Sequence, residues 1–402
     1  MSVLYFIYLV FLIYLAVSVF YLAVFAIAGR LGRADDTYPS SQPPRFRKIG
    51  VLIPAYKEDA VIIDSVNANL KQQYPAHAFD LIVIADSFQP QTLAKLATMP
   101  VRVIEVSFEV STVAKAINTA LSKISDDEYE ILVVSDADNH MAADFLSRIN
   151  TAFDQNWKAV QGHRVAKNTN TSVAVLDAIS EEINNHIFRK GSRALGLSSS
   201  IIGSGMAFDP VLMKKGMSNL HTMGGYDKEL EMNIVLAGYK IAYLENAFVY
   251  DEKVAQQAVF ENQRTRWIAA QWQFLKFYFR RGVTELMNGR MASAFKVIQA
   301  LVLPRVLLLG VLFVCTLLGF LSPIATLWLI PLLSLTALCI SLALSVPGYL
   351  WRQIGMRELM LVPVLMLRFA RAIFNMRKAF KSFLPTPHTS SAEQQKDKMK
   401  LS

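Results

Sequence analysis

The chain has 402 residues, of which 53% are hydrophobic and only 18% are charged, and its mean hydropathy is positive. This composition argues against a purely soluble protein. The formal charge of +9 lies largely beside the apolar segments, which indicates charge facing lipid headgroups rather than nucleic acid. Both cysteines, Cys315 and Cys339, lie in apolar segments, so neither a disulfide framework nor a CxxC metal site is expected.

The first element is an uncharged segment from Val3 to Ala28. As a helix it would be about 39 Å long, which exceeds the roughly 30 Å of a bilayer's hydrocarbon core. A cleaved signal peptide is the competing interpretation, but no Lys or Arg precedes the run and the run is too long. Basic residues follow, and the positive-inside rule places the next segment in the cytoplasm. We therefore predict a transmembrane helix over 1–29 and a basic linker over 30–48.

Residues 49–290 have the composition of a globular domain. Apolar strand patterns are predicted at 48–54, 81–85, 101–104 and 131–135, and helical patterns at 59–73 and 111–124. This alternation predicts a mostly parallel α/β sheet with functional groups at the carboxyl ends of its strands. The absence of a GxGxxG or Walker sequence argues against dinucleotide-binding and NTPase functions.

The strand predicted at 131–135 ends in Asp136-Ala137-Asp138. Carboxylates two residues apart in an extended backbone point to one face, where they can share a cation and its phosphate. A solvated turn would explain the same pair if it stood alone. Glu58 and Asp86 also follow strand ends, so we expect these acids to converge on one edge of the sheet.

Three later motifs carry both a structural and a functional interpretation. The sequence Gly-Ser-Gly at 203–205 suits close approach by a ligand or a tight bend. Asp227 and Glu229 precede a helix predicted at 230–236, where acids also favour the helix dipole. The sequence Gln-Arg-Thr-Arg-Trp at 263–267 suits a diphosphate and a stacked sugar, or an interfacial helix with snorkelling arginines.

The carboxyl-terminal part is apolar again. Residues 306–347 carry no charge and suit two helices turning at Ser322-Pro323; we place this transmembrane hairpin within 291–347. Residues 348–385 are predicted as an interfacial helix or a last span, because arginines and a lysine interrupt them. A polar tail follows over 386–402.

In this order and spacing, the motifs resemble the membrane-bound glycosyltransferases of family two, the group of the cellulose, chitin and hyaluronan synthases. The matching residues are Pro54, Ala55, Tyr56, Glu58, Asp86, Lys115, Asp136, Asp138, Gly203, Ser204, Gly205, Asp227, Gln263, Arg264, Arg266 and Trp267. The resemblance implies a GT-A fold, an α/β nucleotide-sugar-binding domain with a mixed, mostly parallel sheet, inserted here between transmembrane helices. It also implies an integral protein of the inner membrane with a cytoplasmic catalytic domain.

The resemblance implies roles for these residues. Residues 54–58, Asp86 and Lys115 would bind the uridine end of a UDP-sugar. Asp136 and Asp138 would contact its diphosphate through Mg²⁺ or Mn²⁺. Asp227 would be the general base of an inverting displacement. Residues 203–205 would line the acceptor path, and Gln263, Arg264, Arg266 and Trp267 would hold the diphosphate and the acceptor sugar.

Two departures from the family pattern bear on these roles. Gly225-Tyr226-Asp227 stands where the family usually has Thr-Glu-Asp, so Glu229 is kept as an alternative base. Three or four predicted spans are few for a polymer channel, which favours an oligomer, a secretion partner or a short product. The leading hypothesis is extension of a β-linked polysaccharide; the alternatives are single addition to a lipid or lipid-linked acceptor and a non-catalytic subunit of a synthase complex.

Overall fold

The computed structural model describes residues 3–32, 45–218, 220–221, 224–253 and 257–379. Most of the predicted linker 30–48 and all of the predicted tail 386–402 lie outside these residues. The strands are β1 (Ile49–Tyr56), β2 (Phe79–Asp86), β3 (Arg102–Val106), β4 (Ile131–Val134), β5 (His140–Met141), β6 (Ala159–Ala166), β7 (Met206–Phe208) and β8 (Ala242–Asp251).

The helices fall between and after these strands. They are α1 (Val3–Leu31), α2 (Ile62–Asn69), α3 (Pro90–Leu96), α4 (Val113–Ser122), α5 (Phe145–Asp154), α6 (Ser172–Asn184), α7 (Ser192–Ala194), α8 (Pro210–Met217), α9 (Tyr226–Leu236), α10 (Gln257–Met287), α11 (Met291–Leu301), α12 (Arg305–Gly319), α13 (Ala325–Ser345), α14 (Gly348–Trp351) and α15 (Met356–Ala379). A π-helical segment, Asn185–Gly191, joins α6 to α7, and a 3₁₀ turn, Ala76–Ala78, precedes β2.

The strands form one mixed sheet in the order β3-β2-β1-β4-β7-β6-β8-β5. The pairs β2–β3, β1–β2, β1–β4 and β6–β8 are parallel, whereas β7 runs antiparallel to both of its neighbours and β5 runs antiparallel to β8. The predicted mixed, mostly parallel α/β sheet is therefore confirmed. The sequence patterns had identified β1 to β4 only.

The sheet has an apolar layer on each face. Val51 and Ile53 of β1 pack into a core with α2 and α5, while Leu52 packs on the other side with α4, α8 and α9. This alternation follows from the two-residue repeat of a strand. Both faces are covered, which explains why the central strands β1, β2 and β4 contain continuous apolar runs in the sequence.

Proline does not end β1 as the sequence pattern suggested. The strand continues through Pro54 to Tyr56 and pairs with β2 throughout. The Leu52 carbonyl accepts a hydrogen bond from the Ser135 N–H on the β4 side. Every second residue of a strand directs its backbone N–H and C=O to the same side, so the nitrogen of Pro54 also points toward the β4 side. The pairing with β4 ends at Leu52, so the missing N–H of Pro54 interrupts no ladder.

The chain divides into two compact units. The sheet unit contains residues 45–168 and 198–253, and the helical unit contains residues 3–32, 169–197 and 257–379. In the helical unit, Tyr5–Leu31 and Ala325–Ser345 are long and apolar enough to cross a membrane. Helices α11 and α12, bent by 56° at their break, meet the same criteria only as a pair, and α15 is not among the candidate spans of the described residues.

Candidate functional site

The carboxyl ends of β2, β1 and β4 lie side by side at one edge of the sheet. Tyr56 is in register with Asp86, and Asp136 follows β4 on the other side of β1. The structure thus brings the nucleotide-binding residues predicted after β1 and β2 next to the predicted metal-binding pair. In open α/β sheets, ligands bind outside this edge.

Two non-glycine residues at this edge adopt left-handed backbone conformations. They are Lys57, with φ of 56°, and Ser87, with φ of 59°. The Lys57 N–H donates to the Asp86 carbonyl at 3.0 Å, and the Ser87 hydroxyl donates to the buried Asp86 carboxylate at 2.9 Å. Left-handed non-glycine residues are uncommon and cluster at ligand-binding sites. The two turns therefore hold Asp86 in a fixed orientation beside Tyr56.

The predicted metal-binding pair lies in a turn after β4. Asp138 is buried and Asp136 is half-buried. The Asn139 side chain connects this turn to β8. In the amide orientation that satisfies all of its hydrogen-bond partners, the Asn139 nitrogen donates to Asp138 Oδ1 at 3.2 Å and to Asp251 Oδ1 at 3.1 Å. Asp251 is in turn held by Lys253 at 2.6 Å. This network fixes the turn that carries both predicted ligands.

The Gly-Ser-Gly segment bonds directly to that turn. The hydroxyl oxygen of Ser204, which is fully buried, accepts a hydrogen bond from the Asp136 N–H at 3.0 Å and lies 2.6 Å from the Asn139 amide. The Gly205 N–H donates to the Val134 carbonyl at 2.8 Å. The segment is therefore a support for the acidic turn, a contact that the sequence patterns did not reveal.

Glycine is required at position 205 for two reasons. Its φ is +66°, and an added Cβ would lie 2.9 Å from Val249 Cγ2. At Gly203, whose φ is +70°, an added Cβ would lie 3.9 Å from the Tyr226 hydroxyl oxygen, an ordinary contact distance, and the Gly203 carbonyl accepts a hydrogen bond from that hydroxyl at 3.0 Å. The positive φ of both residues and the close packing at Gly205 explain why both positions are glycine.

The predicted base, Asp227, lies in the first turn of α9. Gly225, with φ of 73°, precedes the helix, which begins earlier than the predicted 230–236. Burial raises the pKa of the Asp227 carboxyl, with Glu231 acting in the same direction while Lys228 and Arg164 lower it. Burial and then the nearby carboxylates of Asp136 and Asp227 raise the pKa of Tyr226 well above its usual value. Tyr226 therefore stays protonated near neutral pH.

The alternative base, Glu229, is in a different environment. Its side chain is fully buried, and Oε2 accepts a hydrogen bond from the His221 N–H at 2.8 Å. Glu231 similarly accepts from the Ile201 N–H at 2.8 Å. These acids stabilise backbone segments around α9. Of the three residues, Asp227 is half-buried, whereas Glu229 and Glu231 are buried.

The donor set of the acidic turn fits a cation delivered with a diphosphate. Among the described ranges, no three His, Cys, Asp or Glu side chains form a ready metal-binding group. Mg²⁺ is usually held by one or two carboxylates together with substrate phosphates, rather than by an all-protein cage. Asp136 and Asp138 would supply such carboxylates. His140, two residues later, lies 2.9 Å from Lys167 Nζ and 3.6 Å from Asp64.

The remaining predicted residues lie away from this turn in the sequence. Lys115 is exposed on the first turn of α4, where its ammonium donates to the Val110 carbonyl at 2.7 Å. Gln263, Arg264, Arg266 and Trp267 lie on α10 in the helical unit. Arg264 is buried and ion-paired with Asp177 at 2.5 Å, and burial lowers the pKa of Arg266. Trp267 is 38% exposed.

The chain shows similarity to known proteins over the same region. The family model "Glycosyltransferase like family 2" matches residues 44–270, more than half of the chain. The probable glycosyltransferase YdaM of Bacillus subtilis strain 168 is 24% identical over 246 residues. That alignment covers 57% of this chain and 57% of the relative, so the chain spans a little over half of the relative's length.

Solved structures add a comparison of folds. The mannosyltransferase PcManGT from Pyrobaculum calidifontis, in complex with GDP-Man and Mn²⁺, has a TM-score of 0.51 at 14% identity over 90% of this chain and 99% of that one. Staphylococcus aureus TarS 1–349 has a TM-score of 0.41 at 16% identity over 84% of this chain and 91% of that one. The first similarity, together with the mixed sheet described above, confirms the GT-A-like fold. By its sequence match and its fold, the chain belongs to glycosyltransferase family 2.

Proposed function

We propose that this protein is an inverting glycosyltransferase that moves a sugar from a UDP-sugar to a growing β-linked polysaccharide at the cytoplasmic face of the inner membrane. The observation that carries the proposal is that the Gly203–Gly205 segment bonds to both acidic positions: Ser204 accepts a hydrogen bond from the Asp136 N–H at 3.0 Å, and Gly203 accepts one at 3.0 Å from Tyr226, the residue before Asp227. An acid suited to the diphosphate side of a donor and an acid suited to proton abstraction therefore lie near one another. These are the two functions that a direct displacement requires.

Asp227 accepts the proton of the acceptor hydroxyl in this mechanism. A sugar hydroxyl is a weak nucleophile near neutral pH, and a carboxylate of raised pKa is a stronger base than an ordinary one. The raised pKa follows mainly from burial. Tyr226, which stays protonated, does not compete for the proton. One base and one departing diphosphate are sufficient for a single displacement, which converts an α-linked donor into a β-linked product.

Asp136 and Asp138 would hold Mg²⁺ or Mn²⁺ at the diphosphate end of the donor. A bound divalent cation neutralises charge that develops on the leaving diphosphate. The turn is held by Ser204 and Asn139, so the carboxylates do not need to reorganise when the donor arrives. Tyr56, Glu58 and Asp86 bind the nucleoside at the neighbouring strand ends.

The candidate spans and the basic residues support the membrane assignment. Tyr5–Leu31 precedes the sheet unit, and Ala325–Ser345 follows it in the sequence. Basic residues after the first span favour a cytoplasmic location for the sheet unit. Trp267 and the neighbouring arginines are proposed to bind the acceptor sugar and the diphosphate, since aromatic rings and guanidinium groups suit sugars and phosphates. Lipids surround the candidate spans.

A donor screen tests this function. The full-length protein in detergent is incubated with individual UDP-sugars, with and without Mn²⁺, and UDP release is measured. We expect release from one UDP-sugar that depends on Mn²⁺ and is lost in Asp138→Ala. Asp144→Ala is the matched control, because it removes a surface carboxylate of the same unit that pairs with Arg148. Equal activity in Asp138→Ala and Asp144→Ala would contradict the metal assignment.

Single addition to a lipid or lipid-linked acceptor is the second candidate. The observation in its favour is the small number of candidate spans in the described part of the chain, two or up to three. A polymer channel needs several helices around it. Product length separates the two candidates: a ladder of products from a labelled donor supports polymer extension, and a single added sugar supports the second candidate.

A further inference from the structure

The indole ring of Trp267 lies against a guanidinium group from its own helix. Arg264 Cζ is 4.1 Å from the ring centroid, and the two residues are three positions apart on α10. Residues with this spacing lie on the same face of a helix. Stacking of a guanidinium on an indole is favourable through charge and dispersion. The orientation of the Trp267 ring therefore depends on where Arg264 is held.

Asp177 holds Arg264. Its Oδ1 lies 2.5 Å from Arg264 Nη2, and the two side chains are 9% and 6% exposed. A charge-assisted hydrogen bond away from water is short and directional. Trp267 itself is 38% exposed. A buried carboxylate is thus connected to an exposed indole through one buried guanidinium.

Asp177 lies on a face of α6 that makes two further polar contacts. One turn later, Glu181 pairs with Arg189 of the π-helical segment at 3.2 Å, and the Ser180 carbonyl accepts from Arg305 at 3.1 Å. These α6 residues share a face, since positions three and four apart are neighbours on a helix. Both contacts join the face of α6 that carries Asp177 to elements other than α10.

We propose that Asp177 is a positioning residue that sets the orientation of the Trp267 ring through Arg264. The proposal deepens the proposed function and rests on it for the role of Trp267 at the acceptor. Without the carboxylate, the buried guanidinium loses its counter-charge and moves to another acid or to water. The indole then loses its stacking partner and samples more orientations.

Fluorescence quenching tests the orientation without any substrate. The chain has five tryptophans; the other four, Trp157, Trp272, Trp328 and Trp351, are replaced by phenylalanine in the full-length protein. Acrylamide quenching of Trp267 is then measured in detergent, with the thermal midpoint as a check on folding. We expect Asp177→Asn to raise the Stern–Volmer constant to the value that Arg264→Met gives.

Glu261→Gln is the matched control. Glu261 lies on the same helix and pairs with Arg368 at 3.4 Å, so its loss removes an ion pair of α10 other than the Asp177–Arg264 pair. We expect no change in quenching. The proposal is overturned if the Stern–Volmer constant of Asp177→Asn equals that of the parent protein, or if Glu261→Gln raises this constant as much as Asp177→Asn does.

A double variant keeps the test valid if Asp177→Asn does not fold. Asp177→Asn combined with Arg264→Met leaves no unpaired charge in the buried pair. Because Asp177 acts through Arg264, the double variant should have the same Stern–Volmer constant as Arg264→Met alone. A further increase would show that Asp177 acts on Trp267 by another route and would overturn the proposal.

Activity provides a second and separable readout. With the UDP-sugar identified in the donor screen, Asp177→Asn should lower transfer to the acceptor more than it lowers UDP release by hydrolysis. If no UDP-sugar is turned over, the proposed function fails while the quenching result still decides the role of Asp177. If transfer is normal and quenching rises, Trp267 orientation has no part in acceptor binding.

Discussion

Removal of the Ser204 hydroxyl should damage the acidic turn without creating a steric problem. Ser204 is fully buried, and its hydroxyl is hydrogen-bonded to the Asp136 N–H at 3.0 Å and to the Asn139 amide at 2.6 Å. Ser204→Ala deletes that oxygen alone. The two groups that it bonds are left to find water or to remain unsatisfied.

The expected magnitude follows from burial. Asn139 is fully buried and Asp136 is half-buried, so water can replace the lost partner of Asp136 more easily than that of Asn139. One buried unsatisfied group costs about 1–3 kcal/mol of unfolding free energy. Displacement of the carboxylates by about 1 Å should lower turnover by about 100-fold.

UDP release and its dependence on Mn²⁺ concentration measure the effect. Ser135→Ala is the matched control: Ser135 is also fully buried and precedes Asp136, but its hydroxyl has no hydrogen-bond partner within the described ranges. We expect Ser204→Ala to lose activity and to require more Mn²⁺, while Ser135→Ala does neither. Equal effects of the two variants would refute the role of the Ser204 hydrogen bonds.

Three further predictions concern the same unit. The pKa of Asp227 is raised, and only its carboxylate form accepts a proton. As the pH is lowered, kcat/KM should therefore fall at a pH above the ordinary pKa of an aspartate side chain. A fall in kcat/KM only at the ordinary aspartate pKa would contradict this. Gly205→Ala combines a left-handed φ with a steric clash and should cost more than the roughly 1–2 kcal/mol of the conformation alone, whereas Gly196→Ala has the same kind of φ and open space; equal losses of thermal stability would refute the packing argument. Tyr226→Phe removes the hydrogen bond to the Gly203 carbonyl and should reduce turnover more than donor binding; unchanged kinetics would show that this bond is dispensable.

The front half of the sheet and the acids at its edge could be predicted from sequence, because these features are local. Strands β1, β2 and β4 each contain a continuous apolar run, and Asp86 and Asp136 lie at the carboxyl ends of β2 and β4. The short strands β5 and β7, of two and three residues, have no recognisable period. Their existence depends on partners supplied by β8 and β4.

The contacts that hold the site could not be predicted because they join distant residues. Ser204 is 68 residues from Asp136, and Asp177 is 87 residues from Arg264. No local pattern marks such a pair. The sequence alone predicts catalytic and metal-binding residues, whereas the structure was needed to see that Gly203–Gly205 supports the acidic turn and that Arg264 is paired with Asp177.

The interleaved order of the two units limits how the enzyme can be divided. The chain leaves the sheet unit after residue 168, returns at 198 and leaves again after 253. A soluble fragment such as 45–253 would therefore retain α6, whose Val173 packs against Leu365 of α15 in the intact protein. That apolar surface would be exposed and prone to aggregation. A soluble catalytic fragment would need a short linker in place of 169–197, since cutting the termini alone leaves the inserted helix without its partners.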